Sequence, residues 1–269
     1  MTKLLILTDI HITEAGQTII GLDPLARLQS VLSAAVEAHP DAAFVLMMGD
    51  LTHHGTSTQY ARLREVLETC PIPVLLMIGN HDRRAAFRAA FPDTPATDKG
   101  FVQQVVDFPH HRLILLDSHD GGDHPDGFRS GILSPERLAW LDGALAGCGD
   151  RMPIVACHHP PFSVGLPGMD AIRLQNEEAL LSRLADHGAY LLFGHIHRTI
   201  SGTAKGVGWS SFKSPCHQAP IDFVTADSGL SIDEPGGYGI ALLDRPTQIT
   251  IHHVDVGLET TTMSDRTSQ

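Results

Sequence analysis

Short apolar runs at residues 4–7, 43–48, 74–78, 154–157 and 190–193 each stop abruptly at a polar cluster. Runs of four to six apolar residues of this kind read as buried strands. Between them the apolar residues recur at helical spacing, which predicts helices near 24–38, 57–69, 83–91, 135–146 and 176–187. Thr56 and Ser134 are the expected N-caps, and Pro135 suits a first helical turn. Two further strand-like stretches, 101–107 and 112–116, predict a hairpin closed near Pro109, His110 and His111. The alternation of strand and helix is the signature of an α/β fold. After residue 197 the texture changes. Stretches 199–203, 207–212, 222–225, 230–233, 238–243 and 248–254 are β-prone and punctuated by Gly and Pro. They predict a run of antiparallel strands forming a second sheet packed on the first. With no repeat, coiled coil or linker, one domain is expected over 1–256, followed by a polar, flexible tail at 257–269. The Gly-, Asp- and His-rich loop at 117–130 is expected to be exposed.

The clusters that end the five strands carry the chemistry. They are Asp9-Ile10-His11, Gly49-Asp50, Gly79-Asn80-His81-Asp82, His158-His159-Pro160 and Gly194-His195-Ile196-His197. Open α/β sheets bind ligands beyond the carboxyl ends of their strands, so five such motifs imply one shared site. Residues two apart on a strand share a face. Asp9 and His11 can therefore reach one ion together, and His195 and His197 have the same spacing. Asp50 has two oxygens and suits a bridge between two cations. Asn80 offers a neutral amide oxygen and His158 another imidazole. Carboxylate, amide and imidazole donors without thiolate favour manganese, iron, zinc or cobalt. Two ions about 3.5–4 Å apart stabilise both the attacking and the leaving oxygen of an in-line displacement at phosphorus. With 17 histidines in the chain, most are not ligands. His39, His53, His54, His110, His111, His119, His124, His187, His252 and His253 are read as surface or hydrogen-bonding residues outside the site.

Composition narrows the function classes. A chain of 269 residues with 42% hydrophobic content can bury the core of a globular enzyme. Its net charge of −12 argues against a long nucleic acid as partner. The four cysteines are scattered without metal or disulfide spacing. Leu4 to Leu7 is too short for a leader and reads as the first strand, and no apolar run reaches membrane-spanning length. A cytoplasmic location is the expectation.

The ordered motifs from Asp9 to His197 resemble the calcineurin-like metallophosphoesterase superfamily. Three further stretches resemble its bacterial class III cyclic nucleotide phosphodiesterases and their glycerophosphodiesterase relatives. They are His158-His159-Pro160-Pro161-Phe162, Gly168-Met169-Asp170 and Ser214-Pro215-Cys216-His217-Gln218. The resemblance implies a four-layer α/β/β/α sandwich with two mixed sheets flanked by helices. It implies two divalent or mixed-valence ions. Asp9, His11, Asp50 and His197 would hold the first, and Asp50, Asn80, His158 and His195 the second. His158 is preferred to His159 because the family's ligand lies two residues before the proline, here Pro160. His81 would face the phosphate and protonate the leaving alkoxide, with Asp82 orienting it. Asn80, His81 and His217 would contact substrate, with Gln218 and the Met169–Asp170 loop as further pocket contacts. The implied activity is hydrolysis of small phosphodiesters, of cyclic nucleotide or glycerophosphodiester type, by in-line attack of a metal-bound hydroxide. Phosphomonoesterase, nucleotide pyrophosphatase or phosphonate monoesterase activity on the same core is the alternative. A non-catalytic metal-binding scaffold is more remote, since the ligand set is complete and His81 is present. His53 stands where purple acid phosphatases carry tyrosine and where glycerophosphodiesterase relatives can carry Asn, so a tyrosinate-iron centre is not expected. Relatives pair through C-terminal β segments, which admits a homodimer or higher homo-oligomer.

Overall fold

β1 (Lys3–Leu7) shows how the layers arise. Its successive side chains point to opposite faces. Leu5 and Leu7 enter one apolar cluster, and Leu4 and Ile6 enter another. The computed structural model describes residues 2–120 and 129–259. After β1 the chain runs through α1 (Pro24–Ala38), β2 (Phe44–Met48), α2 (Ser57–Leu67), β3 (Val74–Met77), α3 (Arg84–Ala90), β4 (Gln104–Asp107) and β5 (His111–Leu116). It continues with α4 (Pro135–Ala146), β6 (Met152–Cys157), α5 (Pro167–Asp170), α6 (Glu177–Asp186) and β7 (Tyr190–Phe193). Four strands finish it: β8 (Ser201–Ala204), β9 (Val207–Ser211), β10 (Gly237–Arg245) and β11 (Gln248–Asp255).

Two mixed sheets result, in the orders β11-β10-β1-β2-β3 and β4-β5-β6-β7-β9-β8. β1, β2 and β3 run parallel, as do β5, β6, β7 and β9, while the pairs β1–β10, β10–β11, β4–β5 and β8–β9 are antiparallel. The sheets face each other across Leu4, Ile6, Leu46 and Met48 on one side and Leu113, Leu115, Ile154 and Leu192 on the other. Leu28, Val31, Leu63 and Phe87 cover the outer face of the first sheet. Leu141, Leu145, Leu180 and Leu184 cover that of the second. The layers are therefore α/β/β/α. Thr56 accepts from the Gln59 amide and Ser134 from the Arg137 amide, as N-caps do. No helix among the described residues is long and apolar enough to cross a membrane.

The C-terminal strands do not make a second sheet of their own. β10 pairs antiparallel with β1, and β9 pairs parallel with β7, so this segment extends both sheets. Each sheet had an open edge there, and main-chain groups at an open edge need partners. Residues 222–225 form no strand, because the Asp222 carboxylate accepts from the Val224 and Thr225 amides and closes a turn. Residues 230–233 contribute only an isolated bridge, Gln218 to Ile232. The short α5 lies in a stretch where no element was expected. The loop after β5 is also not simply exposed. Asp117, Ser118 and His119 are buried, with Asp117 held by Arg84 and Arg137. Residues 121–128 and 260–269, the latter most of the expected tail, lie outside the described residues.

Candidate metal centre

The turns after β1, β2, β3, β6 and β7 meet beyond one end of the sheets. Main-chain bonds tie them together. The Asp9 amide donates to the Gly49 carbonyl, the His11 amide to the Asp50 carbonyl, and the Gly194 amide to the His158 carbonyl. Asp9, His11, Asp50, His195 and His197 all have positive φ, between 46° and 69°. That region is uncommon for residues with a Cβ and costs roughly 1–2 kcal/mol at each. Turning sharply there aims all five side chains inward. Close approach also demands glycine: a Cβ on Gly79 would strike the Asp50 carboxylate and lie 2.7 Å from His158 Nε2.

Six of the seven expected ligands are interlinked by donor atoms facing one another, and Asp9 reaches the same cluster. His11 Nε2 lies 3.1 Å from His197 Nε2 and 3.7 Å from Asp50 Oδ2. His158 Nε2 lies 3.2 Å from Asn80 Oδ1, 3.3 Å from Asp50 Oδ2 and 3.9 Å from Asp9 Oδ1. His197 Nε2 is 3.6 Å from Asp9 Oδ1, and His195 Nδ1 is 2.9 Å from Asn80 Oδ1. The ring tautomers are set from behind. His158 Nδ1–H donates to the Met48 carbonyl and His197 Nδ1–H to the His217 carbonyl, each at 2.9 Å. Their Nε2 lone pairs therefore point at other acceptors. His195 Nε2 is buried and has no hydrogen-bond partner among the described residues. The facing donors of His11, His197 and Asp50 fit a cation between them, and the unpartnered His195 nitrogen is a further buried donor atom.

The electrostatics agree. Burial opposes a charge on His158, but Asp50 and Asp9 outweigh it and raise its pKa to about 9. In the metal-free protein a proton takes up the His158 Nε2 lone pair, because the cluster attracts positive charge. Burial also opposes ionisation of Asp50, yet the His158, His81 and His11 imidazoles hold its carboxyl well below the usual range. Burial, countered in part by His158, lifts Asp9 to about 7. Burial keeps His11 and His195 well below the ordinary imidazole value, and His197 at about 4, so these rings offer lone pairs at neutral pH.

A second ring of residues surrounds the donors. His81 donates from Nδ1 to the His53 carbonyl at 2.9 Å, which leaves its Nε2 for other contacts. Asp82 does not orient it. The Asp82 carboxylate instead accepts from the Leu51, Thr52 and Gly79 amides, the Thr52 hydroxyl and the Tyr60 hydroxyl. Burial raises Asp82 to about 6, and its bonds brace the turns after β2 and β3. His217 packs its ring 4.6 Å from that of His197, centroid to centroid. Gln218 is not a pocket contact: it is buried and bonds both main-chain groups of Ser214. Met169 lines the cavity, whereas Asp170 turns away to bond Ser163, Val164 and Gly165. His159 is engaged on both nitrogens, by Ser118 Oγ at 2.7 Å and the Arg129 carbonyl at 3.0 Å. His158, not His159, thus faces the donors.

The cavity at this site measures about 300 Å³. Its apolar wall includes Ile19, Ile20, Met169, Ile172 and Leu230, and among the described lining residues Arg129 alone carries a fixed positive charge. A larger groove of about 700 Å³ beside β3 contains none of the five motifs. His53, expected outside the site, borders it: its Nδ1 lies 3.3 Å from His11 Nδ1. Its position three residues beyond Asp50 was the available signal.

Residues 2–199 match the family model for calcineurin-like phosphoesterases. The chain is 38% identical to a probable cyclic nucleotide phosphodiesterase of Rhodopseudomonas palustris, over 93% of this chain and 91% of that protein. It is 30% identical to a 3',5'-cyclic adenosine monophosphate phosphodiesterase of Pseudomonas aeruginosa, over 88% of this chain and 84% of the relative. A probable glycerophosphodiester phosphodiesterase of Arcobacter nitrofigilis is 27% identical, over 93% and 92%. Among solved structures, a dimetal phosphatase from Danio rerio superposes with a TM-score of 0.68 at 14% identity, over 95% of this chain and 99% of that one. A purple acid phosphatase from yellow lupin gives 0.66 at 15%, over 94% and 51%. The structural likenesses bear on the fold, and the sequence matches carry the assignment: the chain belongs to the calcineurin-like phosphoesterase family.

Proposed function

We propose that this chain hydrolyses small phosphodiesters, of cyclic nucleotide or glycerophosphodiester type, with the help of two metal ions. The observation that carries the reading is the convergence of seven donor side chains, Asp50 among them, on one buried cluster. We assign Asp9, His11, Asp50 and His197 to one ion, and Asp50, Asn80, His158 and His195 to the other. Ions held there would supply Lewis-acid charge and an acidified water. The remaining work falls to the chain. His81, anchored through Nδ1–H on the His53 carbonyl, presents Nε2 to the phosphoryl group. With a second proton there it hydrogen-bonds a phosphoryl oxygen and passes that proton to the leaving alkoxide, a contribution of about 10²–10⁴ in rate. His217 walls the cavity beside His197. Ile19, Ile20, Met169 and Leu230 shield a second esterified group from water. The relatives are named for activities on cyclic nucleotides and on glycerophosphodiesters, both diesterase activities, which supports the same class.

The test compares bis-p-nitrophenyl phosphate with p-nitrophenyl phosphate on protein stripped with chelator and reloaded with Mn²⁺. The stripped protein should be inactive, and the reloaded protein should show the higher kcat/KM on the diester. A monoester advantage of about tenfold, 1.4 kcal/mol in transition-state free energy, would overturn the diesterase reading and leave the metal site standing.

A further inference from the structure

His53 touches two parts of the site at once. Its main chain is pinned: the amide donates to the Ile12 carbonyl at 2.9 Å, and the carbonyl accepts from His81 Nδ1 at 2.9 Å. Its ring stacks on that of His81, with centroids 5.2 Å apart and planes at 18°. Its Nδ1 meets His11 Nδ1 at 3.3 Å, the rings lying edge to face.

His11 turns its other nitrogen towards the donors, with Nε2 3.1 Å from His197 Nε2 and 3.7 Å from Asp50 Oδ2. A neutral imidazole has one N–H and one lone pair. If Nε2 presents its lone pair, the proton stands on Nδ1 and needs an acceptor. His53 Nδ1 is at hydrogen-bonding distance and can accept only if its own proton sits on Nε2. Two Nδ1–H groups would face each other as donors.

Resting on the two-ion reading above, we infer that His53 is a positioning residue that locks His11 in the tautomer and orientation needed to bind metal. A hydrogen bond behind a ligating imidazole fixes its ring and raises its basicity. The same residue aims His81 through its carbonyl. The two roles use different atoms, so substitution separates them. A change of side chain removes the acceptor for His11 and leaves the carbonyl that holds His81.

The experiment titrates Mn²⁺ and Co²⁺ into chelator-stripped protein against a chromogenic competitor, for wild type and the variants His53→Ala, His53→Leu and His53→Asn. His53→Leu fills the space without an acceptor. His53→Asn offers a side-chain oxygen to His11 Nδ1–H. Ala and Leu should weaken one of the two metal equivalents by about 10–100-fold and alter its Co²⁺ spectrum, with the other equivalent little changed. Asn should recover most of the affinity. Urea unfolding of the stripped variants should match wild type, which separates the effect from a folding defect. At saturating metal, the dependence of kcat on leaving group should stay as in wild type, since His81 keeps its anchor. Ala and Leu variants that bind both equivalents like wild type would overturn the proposal and leave the two-ion reading intact. Equal loss of both ions, or no recovery with Asn, would also overturn it. Wild-type protein that binds fewer than two ions would bring down the two-ion reading and this inference together.

Discussion

The charge on Asp50 can be removed with little change of shape by Asp50→Asn. The Asp50 carboxylate accepts from the His81 amide at 2.8 Å through Oδ1, a bond that an amide oxygen can keep. Its Oδ2 sits 3.3 Å from His158 Nε2 and 3.7 Å from His11 Nε2. An amide is neutral and has one donor oxygen where the proposed bridge needs two. The variant should therefore hold less than one tight ion per chain and lose turnover to near background. The metal-free protein reports the same charge independently. At 3.3 Å and an effective dielectric of about 20, the gross attraction between Asp50 and a protonated His158 is about 5 kcal/mol. Burial opposes it, and the net result is the His158 pKa raised from 6.5 to about 9. At 1.36 kcal/mol per pKa unit the ceiling is about 3 kcal/mol. Because the folded pKa is raised, that stability is fully present below pH 6.5 and is lost as pH rises through about 9. Asp9 shares in it, so Asp50→Asn should cost about 2 kcal/mol at pH 7. Urea unfolding in chelator at pH 7 and above pH 9, with elemental analysis of the purified variant, measures both effects. Two tightly held ions per chain in the variant would refute the bridge. A stability difference that does not shrink with rising pH would refute the assignment of the charge pair.

Three further outcomes are expected. His81→Ala should retain both ions and slow alkyl diesters more than p-nitrophenyl ones, since p-nitrophenolate needs little protonation; an equal loss would make His81 a phosphate binder, and loss of metal would make it a ligand. Gly79→Ala drives a Cβ into the Asp50 carboxylate, so it should cost about 1–3 kcal/mol and weaken metal binding; wild-type affinity would mean that the turn after β3 can give way. In chelator, stability should rise with pH between about 4 and 6.5. Burial depresses the pKa of His11, His53, His119, His159, His195, His197 and His217, so the unfolded chain binds the more protons there, outweighing the raised Asp9 and Asp82; a flat or falling profile by urea titration would contradict this.

The strands and the five motifs were legible because both are local. An apolar run of four to six residues ended by Thr, Gly or His announces a buried strand and the turn that leaves it, and all five such turns meet. What was not legible depends on partners far along the chain. Nothing near residue 237 says that β10 will lie against β1 while β9 joins β7, because a period of two sets which face is buried and not which neighbour is chosen. Asp82 follows His81 directly, but adjacent side chains diverge, and its oxygens go to Leu51, Thr52 and Tyr60. Gln218 and Asp117 differ from expectation for the same reason: each is buried by partners that the local pattern does not announce. His53 is one of many histidines in the sequence, and only its three-residue step from Asp50 signals that it returns beside His11.

The left-handed turns join fold and chemistry. Asp9, His11, Asp50, His195 and His197 adopt a conformation that local propensity disfavours, at roughly 1–2 kcal/mol each. Strain of that size persists only where surrounding structure over-determines it. Here the adjoining strands supply the constraint: Leu4 to Leu7, Val45 to Met48 and Leu191 to Phe193 are fully buried, and their packing spans both faces of the sheets. Each strand enters its turn already fixed in direction, and hydrogen bonds from Asp9 and His11 to the turn after β2 hold the turns against one another. Relaxing one residue to negative φ would swing its side chain out of the cluster and break those bonds. The buried α/β/β/α core thus stabilises turns that would not form alone, and those turns bring like lone pairs within about 4 Å, an arrangement that a cation relieves.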